Sequence, residues 1–133
     1  MKAVIHIGSA KTGTTTIQNF LGKNRETLKT QGIFISSSAP SWCHAQQVKL
    51  AAATCIPTAR EFHAAHWFTC QHLKHGFTVA DQNKLQEDIR HEIKSNCRKD
   101  DIVIFSCEAL AIFTEQEIER VKELMVSLFD DIP

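Results

Sequence analysis

The residues with the most chemistry to offer lie together in Gly8-Ser9-Ala10-Lys11-Thr12-Gly13-Thr14-Thr15-Thr16. Gly8 and Gly13 allow the main chain to turn tightly and to approach a ligand closely. Lys11 adds a full positive charge. Thr12, Thr14, Thr15 and Thr16 bring hydroxyls, and at a helix start their N–H groups lack intrahelical partners and the dipole favours an anion. The preceding Ala3-Val4-Ile5-His6-Ile7 suits a buried parallel strand through its apolar Val4, Ile5 and Ile7. Strand, glycine-bounded loop and helix start together predict a cradle for phosphate or sulfate.

Spacing narrows the choice. A Walker A loop places its lysine directly after the second glycine and follows it with a magnesium-binding hydroxyl. Gly8 and Gly13 keep the Walker interval, but Thr14 stands where that lysine belongs and Lys11 precedes Gly13 by two residues. Two other readings stay open on these residues: a divergent nucleotide-binding P-loop, and a Gly/Thr-rich turn that holds no ligand.

Lys11-Thr12-Gly13-Thr14-Thr15, with His6-Ile7-Gly8 before it and Thr16-Ile17-Gln18 after it, resembles the 5′-phosphosulfate loop of the PAPS-dependent sulfotransferases, in their bacterial branch. The resemblance implies that Gly8 to Thr16 hold the 5′-phosphate and sulfuryl group of PAPS, with PAP as product and no metal required. It implies sulfuryl transfer to a hydroxyl or amine by in-line attack. Lys11 would neutralise charge on the bridging oxygen and leaving phosphate. A strand ending in arginine and a serine on the next helix, which bind the 3′-phosphate in that family, would fall past Pro133. The expectation is a truncated single domain over 1–133 that binds an anion with little or no turnover. The alternatives are an anion- or nucleotide-binding module without turnover, and a structural remnant that self-associates.

Ser106-Cys107-Glu108 follows the strongest strand of the sequence, at the carboxyl edge where open α/β sheets bind ligands. By the resemblance, Glu108 is the candidate catalytic base, a role that needs a carboxylate beside the acceptor oxygen; otherwise it caps the next segment or pairs with Lys11. Ser106 either hydrogen-bonds the phosphosulfate or simply ends the strand. By the same resemblance His44 is a candidate for acceptor contact or auxiliary base; otherwise it is a surface histidine at a helix start. His6 reads as a satisfied histidine beside the loop. His63, His66 and Cys70 share one helical face, with His72 and His75 following. Zinc accepts such ligands, but no firm fourth ligand joins them from a second segment. A His-rich surface is expected there and no metal site. Trp42, Trp67 and Phe68 read as core rather than as a platform for adenine.

These groups must be positioned by a modest core. The chain has 133 residues, the length of one domain. Fifteen basic and fifteen acidic side chains cancel, so neither a nucleic acid nor a membrane surface is expected as partner. No apolar run reaches membrane-spanning length, and Gly8 comes too early for a signal sequence. A cytoplasmic location is expected. The five cysteines (Cys43, Cys55, Cys70, Cys97, Cys107) are odd in number and never paired as CxxC, which suits free, mostly buried thiols.

The pattern along the chain predicts an α/β fold: a three-layer, P-loop-like parallel sheet of about three strands. Ile17, Phe20, Leu21 and Leu28 predict a helix from about Thr14 to about Lys29, stopped at Gln31-Gly32. Ile33-Phe34-Ile35 is the second strand. About 41–96 reads as an all-helical cap inserted between strands 2 and 3. Its candidate helices are Trp42 to Thr54, one opened by Thr58-Ala59-Arg60-Glu61 and running to about Lys74, and one beginning at Thr78. Arg98-Lys99-Asp100-Asp101 reads as a solvated turn. Asp101 to Ser106 is the third strand, and Thr114-Glu115-Gln116-Glu117 is a capping box opening a closing helix with Ile118, Val121, Leu124, Met125 and Leu128 as its buried stripe. A free sheet edge beside the third strand is expected to invite a homo-oligomer.

Overall fold

The computed structural model describes residues 1–7, 14–36, 44–56 and 78–129. In order these form β1 (Lys2–His6), α1 (Thr14–Lys23), α2 (Arg25–Thr30), β2 (Ile33–Ile35), α3 (His44–Thr54), α4 (Val79–Asn96), β3 (Ile102–Ser106), a 3-10 turn (Glu108–Ile112) and α5 (Glu115–Phe129). The fold is mixed α/β around a small three-stranded sheet in the order β1-β3-β2. Both pairings are parallel, with Lys2 opposite Ile102, His6 opposite Ser106 and Ile35 opposite Ile104. Among the described residues between β2 and β3 there are helices and no strand.

β3 is the central strand, which explains its apolar run. Val103 and Phe105 are sealed against the helices, while Ile102, Ile104 and Ser106 on the alternate face are half-buried. This order corrects two expectations. Among the described residues the free edges do not lie beside β3, both of whose sides are paired, but along the outer sides of β1 and β2. β1 is accordingly not a buried strand: Val4 is 48% exposed and Ile7 just beyond it 50%.

The core lies on one face of the sheet. Phe34, Val103 and Phe105 pack into one cluster with Leu50 and Ala51–Ala53 of α3, Leu85, Ile89 and Ile93 of α4, and Val121, Leu124, Leu128 and Phe129 of α5. α3 is the middle helix of this layer, touching β3, α4, α5 and the 3-10 turn. Its three consecutive alanines are fully buried, small enough to let neighbours approach on every side. Phe105 and Phe129 meet edge to face with centroids 6.5 Å apart.

Helix boundaries follow local chemistry, with one departure. The single helix expected over 14–29 is broken at Asn24 into α1 and α2. Gly22 weakens the helix just ahead of the break, and the Phe20 carbonyl accepts from both the Asn24 main-chain N–H at 3.1 Å and the Asn24 side-chain amide at 2.8 Å. α2 ends at Gly32 (φ +74°), whose N–H donates to Lys29 O. Thr78 caps α4 by accepting from Asp81 N, and the Asp81 carboxylate accepts from Thr78 N at 2.9 Å. Thr114 and Glu117 make the same reciprocal pair at α5.

That second box also corrects the stripe expected on α5. Glu117 is fully buried and Ile118 is 40% exposed, because the Glu117 carboxylate additionally accepts from Ile56 N at 3.1 Å. The helix is thereby turned so that 117, 121, 124 and 128 face inward. The turn at 98–101 is exposed, apart from half-buried Asp101, whose carboxylate accepts from Arg98 N. Cys55 and Cys107 are buried, Cys97 is half-buried, and all three are free thiols. Among the described residues no helix is long and apolar enough to cross a membrane.

Candidate functional site

Parallel pairing brings the carboxyl ends of β1 and β3 side by side, and with them His6 and Ser106. Their side chains share a face, and His6 Nδ1 lies 2.9 Å from Ser106 Oγ. Gln18, one turn into α1, is buried and donates from Nε2 to the same Ser106 Oγ at 3.2 Å. Cys107 N donates to His6 O at 3.0 Å, extending the ladder one residue past the strand. The segment that leaves β1 and returns as α1 is therefore held at both ends by one hydroxyl from the neighbouring strand.

The residues expected to form the cradle divide as follows. Gly8, Ser9, Ala10, Lys11, Thr12 and Gly13 lie outside the described residues. Thr14 and Thr15 are the first residues of α1, and Thr16 in its first turn is exposed. Ser106 is the last residue of β3, and Glu108 opens the 3-10 turn two residues on. His44 is the first residue of α3. The expected residues that are described thus arrive from β3, the turn after it and the starts of α1 and α3.

Sequence reasoning gave no role to Gln18, Ser36, Lys49 or Glu92. Ser36 leaves β2 at the same edge; its N–H donates to Ile104 O, and its hydroxyl donates to Glu92 Oε2 at 2.9 Å. Lys49 of α3 is 8% exposed. Burial lowers its pKa, opposed by the negative charges of Asp88 and Glu92. A glutamine between apolar Ile17 and Phe20 offers only a weak sequence signal, since its partner is remote in the chain. Lys49 before Leu50-Ala51-Ala52-Ala53 reads as an ordinary helical surface residue until the helix is known to be enclosed.

His63, His66, Cys70, His72 and His75 lie outside the described residues, as do Trp42, Trp67, Phe68, Cys43 and the Thr58–Glu61 box. Among the described residues no group of three or more His, Cys, Asp or Glu could hold a metal ion. What the described site offers chemically is a hydroxyl, an imidazole and a carboxamide hydrogen-bonded together at one strand edge.

No family model, no curated protein and no solved structure matches this chain.

Proposed function

We propose that this chain is a sulfotransferase-like domain with P-loop-like layering, in which the stretch Gly8–Thr16 grips the 5′-phosphosulfate of PAPS. The observation that carries the reading is the tie of both flanks of that stretch, His6 and Gln18, to Ser106 at the carboxyl end of the central strand. An anion loop needs such fixed ends, because donors held in place stabilise charge without having to reorganise when it develops.

In this reading Lys11 balances charge on the bridging oxygen and on the leaving phosphate. The N–H groups and hydroxyls of Thr14 and Thr15 hold non-bridging oxygens, and Ser106 adds a donor from β3. An acceptor oxygen or nitrogen attacks sulfur as the bond from sulfur to the 5′-phosphate oxygen breaks. The acceptor proton passes to Glu108, and PAP leaves. His44 is the candidate for acceptor contact or auxiliary base.

Calorimetry with PAP, ATP and sulfate tests the reading. PAP and sulfate should bind without magnesium, and Lys11→Ala should abolish binding while leaving the circular dichroism spectrum and the urea midpoint unchanged. ATP binding that requires magnesium would replace this reading with that of a nucleotide P-loop. Unfolding of Lys11→Ala would make the lysine structural.

A further inference from the structure

Ser106 Oγ has one proton to give and two lone pairs. Gln18 Nε2 fills one lone pair at 3.2 Å. What happens at the other depends on His6 Nδ1, 2.9 Å away. If Nδ1 is bare, Ser106 must give it the proton, and the hydroxyl is then used up within the protein. If Nδ1 carries hydrogen, both lone pairs are filled and the hydroxyl proton has to find an acceptor beyond the pair.

We propose that His6 and Gln18 are positioning residues that act through Ser106: together they fill its lone pairs, so that its O–H is presented as a donor to the anion bound in the Gly8–Thr16 stretch. This rests on the anion-binding reading above and deepens it by assigning two residues and a tautomer. The geometry makes the assignment economical. His6 is the last residue of β1 and directly opposite Ser106 in register, so the strand pairing keeps its ring within reach of the hydroxyl. Gln18 lies on the first helix after the loop and is 7% exposed. An anion that accepts the Ser106 proton selects Nδ1–H on His6, since a bare Nδ1 would then face the Ser106 lone pair unsatisfied. His6 and the anion thus sense each other through one hydroxyl, without contact.

The experiment combines nitrogen-15 spectra of the His6 ring with PAP and sulfate titrations of the whole chain. Hydrogen is expected on His6 Nδ1 in the PAP-saturated protein. Ser106→Ala and His6→Ala should each weaken PAP binding by about tenfold to a hundredfold, the range for one charge-assisted hydrogen bond. The double variant should lose no more than Ser106→Ala alone, because His6 acts through that hydroxyl. His6→Asn, whose amide N–H can stand in for Nδ1–H, should restore binding to within about threefold of wild type. A bare Nδ1 in the bound state would overturn the proposal, as would additive losses in the double variant. Wild-type binding that is lost in Lys11→Ala but kept in Ser106→Ala would overturn it alone and leave the anion loop standing. Absence of PAP and sulfate binding by the wild-type chain would overturn both.

Discussion

On one face of the sheet Val103 and Phe105 are sealed beneath α3 and α5. On the other, Val4 is half exposed, and α1, tied to that face through Gln18, turns Ile17 and Phe20 to solvent. The first face is held by apolar contact spread over some sixteen side chains. At the loop end, the second is held by two directional bonds on one hydroxyl. Burial without direction tolerates no loss of volume, whereas a hydrogen-bonded tie tolerates exposure and fails only when a donor or acceptor is removed. Stability and the anion binding proposed above should therefore respond to different substitutions.

Phenylalanine truncation gives the largest contrast. Phe105→Ala should cost about 3–5 kcal/mol, since it removes a buried ring together with its edge-to-face contact to Phe129. Phe20→Ala, at a position 59% exposed, should change stability by no more than about 0.5 kcal/mol. Urea melts of the two variants measure both, and similar losses would show that the α1 face contributes as much core as the other.

A smaller effect is expected at the polar contact within the dense layer. Glu117 accepts from Ile56 N, Thr114 N and Thr114 Oγ1 at 3.1, 2.9 and 3.1 Å. Glu117→Gln keeps the volume, removes the charge and turns an amide N–H₂ toward these donors. A loss of about 1.5–3 kcal/mol is expected in chemical denaturation. A neutral result would mean that α5 is oriented by its apolar stripe alone.

Smaller again is the substitution Gly32→Ala. The residue sits at φ +74°, and an added Cβ would come within 3.2 Å of Asp101 Oδ1. Left-handed backbone costs a side chain about 1–2 kcal/mol, and the urea midpoint should fall accordingly. An unchanged midpoint would show that the α2–β2 corner relaxes freely.

Legibility in the sequence followed how local each determinant is. Gly32 and the Thr114–Glu117 box are read within four residues, and both appear as expected. The run Ile102–Ser106 is apolar because it is central, so its strand was plain. Strand order is not local: Val4, Ile5 and Ile7 have the composition of an inner strand, and only the order β1-β3-β2 shows that β1 lies at an edge. Ile118 was assigned inward by periodicity, but a hydrogen bond from Ile56, 61 residues away, turns Glu117 inward instead. The spacing of Gly8, Lys11 and Gly13 reads as an anion loop, and that stretch lies outside the described residues. The tie formed by His6, Gln18 and Ser106 was not legible, because it joins positions that only the fold brings together.

The least effect is expected where the dense layer meets the turn before β3. Cys97 follows α4, and its thiol pKa is pushed up to about 11 from an ordinary 9.0, first by burial and then by the negative charges of Asp101 and Glu92, with Lys29 opposing. The unfolded chain therefore releases this proton at lower pH than the folded one. Where the folded state binds more protons, stability falls as pH rises. The contribution of the neutral thiol is thus fully present below about pH 9 and is lost progressively as pH climbs toward about 11. Lysines titrate over the same range, so the quantity to read is the difference between wild type and Cys97→Ala. Urea midpoints at about pH 8.5, 9.5 and 10.5 (~1 unit apart, to straddle the shift) should fall more steeply for the wild type. The same shift leaves about a hundredfold less thiolate at mild alkaline pH, so iodoacetamide should label Cys97 in the native chain far more slowly than in urea. Parallel pH slopes with fast native labelling would place Cys97 outside the dense layer and move its boundary back to Ile93.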